Sequence, residues 1–422
     1  MTLLITLSLL ISISLFGRFF VRLPKNVWLL FLAQPLAMSS ASMVVFAGGL
    51  LSTKIAPSPE LATLPLTLMI LGTASAVIPA SMLMKKIGRR FGTICGLSTA
   101  LIGALLCAVS AIEIYFLGFV IGAFLLGASM AFVAQMRFAA IESLKDISDS
   151  PKAISVLMIS GMFAAILGPE VAVLAKDWVD APFGFAGSFL VLAGLILTSI
   201  LVIWHLAPIG VAEHHLDKEP RSLNTIALQP IFIIAVSAGA IAYSVMSYVM
   251  TATPLSMHEL QGHGLNETKW VIQSHIIAMY LPSLFSAYLI RFIGIAKLML
   301  IGCVMYGLVV MVALSGQETM HYWWAMVLLG IGWNFLYTSG TLLLPESYQA
   351  HERFKVQAMN DFLIFGVQAL ASLSAGFILF SQGWNLLISF SIPIILIIFF
   401  ISVWYFFISK RKSNLKNCTL IN

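Results

Sequence analysis

Lys85-Lys86-Ile87-Gly88-Arg89-Arg90 places four cations in six residues between two runs, 61–84 and 91–112, that carry no charged residue. Each run is long enough to cross roughly 30 Å of hydrocarbon as a helix, and lysine and arginine strongly resist being carried through it. The stretch therefore reads as the cytoplasmic tip of a transmembrane helical hairpin.

Uncharged runs bounded by charges or turn residues recur along the rest of the chain and predict twelve spans. The first is 26–53, and the hairpin supplies the second and third. Next come 114–136, 153–175 with Glu170 inside it, and 181–204. Beyond a polar stretch lie 229–253, 270–290, 298–315 and 322–344, and 362–409 suits two more spans turning at Ser381-Gln382-Gly383-Trp384-Asn385. The polar stretch, with Glu213, His214, His215, Asp217, Lys218, Glu219 and Arg221, divides the chain. It gives a bundle at 26–206, a cytoplasmic linker at 207–224, a bundle at 225–409 and a basic tail at 410–422. The apolar run 2–16, within an extension at 1–25, is short for a span. It reads as an interfacial helix, a short extra span or an extension from an upstream start codon. With these boundaries, all of the 23 lysines and arginines except Lys54, Lys176 and Lys269 fall on one side, which predicts both termini in the cytoplasm.

Composition agrees. With 60% hydrophobic and 9% charged residues over 422, too few ionic side chains exist to cover a soluble globule, so an all-α membrane protein is expected. A net charge of +6 suits nucleic acid only when clustered on a soluble face, and here the cations are strung between apolar runs. Nucleic acid is excluded as a partner. Cys95, Cys107, Cys303 and Cys418 lack metal-ligand or paired-loop spacing, and no Walker-type phosphate loop is present. No metal, cofactor, disulfide or ATP drive is expected.

The halves repeat at a nearly constant shift. Leu125-Leu126-Gly127 with Phe132 recurs as Leu328-Leu329-Gly330 with Phe335, Glu142-Ser143 as Glu346-Ser347, Lys152 as Lys355, and Lys85-x-Ile87-Gly88 as Arg291-x-Ile293-Gly294. Parallel repeats are a recurring plan of secondary transporters. Twelve spans in two such halves, with a mid-chain linker and a basic turn between the second and third, resemble the major facilitator superfamily. That family's loop signature is matched at Lys86, Gly88, Arg89 and Arg90, read here as a gating loop, but Ser81 replaces its leading Gly and Lys85 its Asp. Gly168-Pro169 is similar to part of a signature associated with antiporters. Thr251-Ala252-Thr253-Pro254-Leu255, Gly332-Trp333-Asn334-Phe335 and Gln357-Ala358-Met359-Asn360-Asp361-Phe362 resemble a bacterial branch near riboflavin carriers and siderophore importers. The resemblance implies two pseudo-symmetric six-helix bundles in the bacterial inner membrane. It also implies a central cavity lined by the first, fourth, seventh and tenth spans, with the fifth, eighth and eleventh behind.

Polar groups at membrane depth need a partner, a cavity or a role. Trp333 and Asn334, with Tyr337 one turn on, offer an indole to stack on a flat solute and an amide to fix its edge, or else ordinary interhelical glue. Tyr243 and Tyr248 extend an aromatic wall or simply pack. Gln34-Pro35, followed by Ser39, Ser40 and Ser42, supplies hydrogen bonds and a kink or close helix packing. Arg137 is a solute anchor or the partner of Glu142. His275 is a candidate for solute binding and for proton coupling, against a neutral interhelical histidine. Asp361 is a proton-coupling site, or a cap or salt-bridge partner at the start of the eleventh span. Glu170 exchanges protons or pairs with Lys176.

The expected function is secondary active transport of a small organic solute by alternating access, with protons as the candidate coupling ion. Uptake of a riboflavin or siderophore type and efflux of drugs or metabolites share this architecture. A membrane enzyme would need convergent catalytic groups, and His214-His215 in the linker has no such setting. A sensor that binds without transporting is the remaining class.

Overall fold

Gly88 turns the first hairpin with φ +85° and ψ 162°, a region open essentially to glycine, and the reversal brings Met84 against Gly92. Gly294 (φ 77°, ψ 159°) and Gly383 (φ 80°, ψ 176°) turn the chain in the same way. Nothing lies within 4 Å of a Cβ built on any of the three, so backbone angle rather than space requires glycine there.

The computed structural model describes residues 2–146, 149–209, 221–349 and 352–419. Its helices are α1 (Thr2–Phe20), α2 (Lys25–Ile55), α3 (Pro59–Met84), α4 (Lys86–Ile112), α5 (Phe116–Glu142), α6 (Ser150–Leu174) and α7 (Ala186–Trp204). Then follow α8 (Pro230–Leu260), α9 (Leu265–Tyr280, continued in broken turns to Ile293), α10 (Ile295–Ser315) and α11 (Thr319–Leu343). Arg353–Thr419 is split by Gly383 into α12 and α13, whose antiparallel contact places Ser374 and Ile378 beside Phe390 and Ile394. The spans α2–α13 form two six-helix bundles, α2–α7 and α8–α13, as the apolar runs predict. Small residues let backbones meet: Gly72 lies against the Phe124 carbonyl, and the Thr73 hydroxyl donates to the Gly127 carbonyl at 2.9 Å.

Three boundaries differ from expectation. The ninth helix starts at Leu265 and breaks at Leu281–Leu284, where Pro282 has no N–H to donate. α12 starts at Arg353, ahead of the uncharged run. α2 and α8 each carry a π-helical turn, Val44–Gly48 and Leu255–Leu260, near the face opposite the basic loops. Of the linker, Glu213, His214, His215, Asp217, Lys218 and Glu219 lie outside the described residues, as do the last three residues of the tail.

The N-terminal run forms a 19-residue helix, longer than the apolar run 2–16. Thr6, Leu10, Ser14 and Gly17 face the bundle, Ser14 Oγ donating to the Trp28 carbonyl at 3.0 Å while Gly17 sits on the Trp28 ring. Most of its outward side chains are large and apolar, with Ser8, Ser12 and Arg18 among the exceptions.

Candidate functional site

Helical spacing gathers an aromatic group on the inner side of the second bundle. Trp333 and Tyr337, four residues apart on α11, share a face and stack with ring centres 5.1 Å apart at 16°. Tyr243 of α8 meets Trp333, Tyr337 and Phe365 of α12 edge-on, at 5.2, 5.1 and 5.8 Å. Tyr280 of α9 approaches Trp333 at 6.5 Å. Edge-to-face geometry sets positive ring edges against negative faces and fixes the rings in place. Trp333 is buried as the base of the group, while Tyr243, Tyr280, Tyr337 and Phe365 are half-buried at its rim. Tyr248 does not join it: that ring lines a separate recess of about 220 Å³ with Ser244, Ser374 and Ser391.

Several polar candidates are tied to neighbouring helices. The Asn334 amide donates to the Met279 carbonyl at 2.8 Å and to Ser283 Oγ, holding the break in α9, and its own carbonyl oxygen is buried without a protein partner. His275 is fully buried, with Nδ1 2.7 Å from the Met326 carbonyl. Ser39 and Ser40 bond back to their own helix, and Ser42 donates to Ala164 of α6 at 2.8 Å. Gln34 is different: half-buried on α2, it donates to Met38 Sδ at 3.3 Å and keeps a carbonyl oxygen without a protein partner.

Arg137 is exposed on α5. Three expectations change here. Asp361 is not at a helix start, since α12 begins at Arg353, two turns earlier, and its neighbour Asn360 donates to it at 3.0 Å. Glu142 does not turn to Arg137 but takes Arg89 of the basic turn in a bidentate pair, at 2.9 and 2.6 Å, with Gln135 as a further acceptor at 2.9 Å. Within the same turn Arg90 lies over Phe91 and Trp204, and Lys86 is exposed. Glu170 is likewise not paired with Lys176, which lies over the Phe185 ring; it accepts from Lys269 of α9 at 3.0 Å.

Phe365 and Tyr280 are the members of the group that sequence reading missed. Phe365 stands one turn beyond Asp361 on α12, a spacing that signals a shared face. Tyr280 carries no local signal beyond preceding the break at Pro282.

Residues 30–353 match the sequence profile of the Major Facilitator Superfamily. Over 379 residues the chain is 35% identical to a riboflavin transporter, RfnT, of Brucella anthropi, covering 89% of this chain and 94% of that one. It is 26% identical over 398 residues to the uncharacterized MFS-type transporter YddS of Bacillus subtilis, covering 90% and 91%. Among solved structures it resembles the nucleoside transporter NupG, with a TM-score of 0.66 at 14% identity over 90% of this chain and 99% of that one. Twelve spans in two like bundles thus have their counterpart in sequence as well as in shape, and the chain belongs to the Major Facilitator Superfamily.

Proposed function

We propose that this transporter carries a flavin-class solute, a planar ring system bearing a neutral polyol, by alternating access with its basic face in the cytoplasm. The observation that carries the reading is the aromatic group of Tyr243, Tyr280, Tyr337 and Phe365 around Trp333, with the Tyr280 ring 3.8 Å from a Cβ built on Gly161 of the other bundle. The similarity to a riboflavin transporter along nearly its whole length supports it. A flat ring gains stacking on such a rim. Coupling to protons is assigned to Asp361. Asp361 lies one turn before Phe365 on α12, and a carboxylate there changes the charge beside the aromatic group when it gains or loses a proton.

The test is uptake of radiolabelled riboflavin by a riboflavin-auxotrophic bacterium expressing the chain. Tyr243→Ala is expected to lower uptake by roughly tenfold or more, the factor a lost ring stack gives. Asp361→Asn is expected to keep riboflavin exchange across the membrane while losing uphill accumulation. Absence of riboflavin uptake by the unmodified chain, or indifference to Tyr243→Ala, would overturn the reading.

A further inference from the structure

We propose that α1 is a thirteenth transmembrane span, added outside the repeat, whose outward face is a surface for the acyl chains of the bilayer. It sets Thr2 on the face opposite the basic loops, and so reverses the cytoplasmic placement expected for the start of the chain. It holds whatever solute the carrier moves.

The turn between the helices fixes direction. Residues 21–24 join α1 to α2, and Ser14 and Gly17 before the turn both meet Trp28 after it, so the two helices run antiparallel side by side. α2 leaves the basic face at Lys25, so α1 ends there. Arg18, Arg22 and Lys25 gather at that end, whereas residues 2–17 carry no charge. Lysine and arginine hold their end of a span in the cytoplasm, and the uncharged end meets no such barrier to crossing. The 19 residues rise about 28 Å as an α-helix, close to the roughly 30 Å of hydrocarbon in a bilayer.

The faces of α1 decide between a span and a helix lying flat at the membrane surface. A flat helix beds its apolar face in the membrane and turns a strongly polar face to water. α1 does the reverse: its buried face, Thr6, Leu10, Ser14 and Gly17, lies along α2 and α6, which themselves cross the bilayer. Facing away are Leu4, Ile5, Leu9, Leu15, Phe16 and Phe19, relieved by Ser8 and Ser12. Two hydroxyls do not make a face for water, and the large apolar side chains around them gain from being covered by hydrocarbon. The inner contacts suit that setting, since Gly17 lets the Trp28 ring come close and Ser14 satisfies its hydroxyl on the Trp28 carbonyl at 3.0 Å. The repeat supplies no counterpart. The shift of 204 that takes Glu142 to Glu346 takes 2–20 to 206–224, which is the polar linker, so α1 belongs to the first bundle alone.

The test uses full-length chains in which Cys95 and Cys418 are replaced by serine, leaving the buried Cys107 and Cys303 in place. A membrane-impermeant maleimide added outside intact spheroplasts is expected to label Thr2→Cys, and to reach Arg22→Cys only after the membrane is permeabilised. A nitroxide attached to Ser12→Cys in proteoliposomes is expected to be relaxed by oxygen but not by a water-soluble nickel chelate, as a site in hydrocarbon requires. Thr2→Cys and Arg22→Cys reached from the same side, or a nitroxide relaxed by the chelate, would return α1 to the membrane surface and overturn the proposal. Spin–spin broadening of that nitroxide that survives dilution in lipid would give the face to a second copy of the chain and overturn the acyl-chain assignment. None of these readings uses riboflavin, so loss of the flavin reading would leave the test standing.

Discussion

In the first bundle the α3–α4 turn holds its own neighbour, with Arg89 gripping Glu142 at the end of α5. In the second, the matching turn keeps its glycine, Gly294 for Gly88, but the carboxylate on that face is gripped from outside the repeat. Arg221, arriving on the linker, binds Glu352 through Nε at 2.8 Å and Nη2 at 2.6 Å, and Glu352 also accepts the backbone N–H groups of Arg221 and Gln349. Lys355 donates back to the Arg221 carbonyl at 3.1 Å, and Gln229 to the Ser347 carbonyl at 3.0 Å. Backbone reversal is thus repeated between halves, because only glycine fits its angles, while the bidentate arginine–carboxylate pair is not: in the second bundle it sits at Glu352, beyond α11, instead of at the turn. The linker end has become a strap of the second bundle.

The largest expected effect comes from Glu352, whose side chain is fully buried and whose carboxyl is held well below its ordinary range, chiefly by the Arg221 guanidinium. A carboxylate held low stabilises the fold fully above the ordinary carboxylate range and loses that contribution as pH falls toward the depressed value. Thermal unfolding in detergent should therefore show Arg221→Gln melting well below the parent at neutral pH, because it strands a buried charge, with the gap narrowing in acid. A constant gap down to acid pH would remove the strap from the account. Next in size, Gly88→Ala and Gly294→Ala should each cost about 1–3 kcal/mol, and by similar amounts, since both force a side chain into the same strained angles. Clearly unequal losses would break the backbone half of the comparison. Arg89→Gln should cost about 1–2 kcal/mol for its charge-assisted bonds, whereas Arg291→Gln, exposed in the equivalent turn, should stay within about 0.5 kcal/mol. Equal losses there would return the brace to the repeat.

The spans were legible because hydrocarbon thickness sets their length and charge marks their ends. Gly383 falls inside the turn read at 381–385, and the repeat found in Lys85-x-Ile87-Gly88 and Arg291-x-Ile293-Gly294 reappears as one backbone geometry. Side-chain partners were not legible. Glu142 and Glu170 each have a cation nearby in sequence, Arg137 and Lys176, yet take Arg89 and Lys269 from other helices. Which partner wins depends on the rotation of each helix about its axis, and an all-round apolar helix carries no periodicity that reveals it. Clustering of Tyr243, Trp333 and Tyr337 followed from their placement on facing helices, but Tyr248, five residues after Tyr243 on α8, points elsewhere.

Lys54 and Lys269 are two of the three cations that break the sidedness of the chain, and their mates, Glu259 and Glu170, come in each case from the opposite bundle. During synthesis the first bundle reaches the bilayer with Lys54 and Glu170 both unmatched, and only the arrival of the second neutralises them. Local pairing of charge on the face opposite the basic loops is therefore a property of the finished chain. A stalled or truncated product carries bare charges there, a marker of incompleteness that the completed carrier has erased.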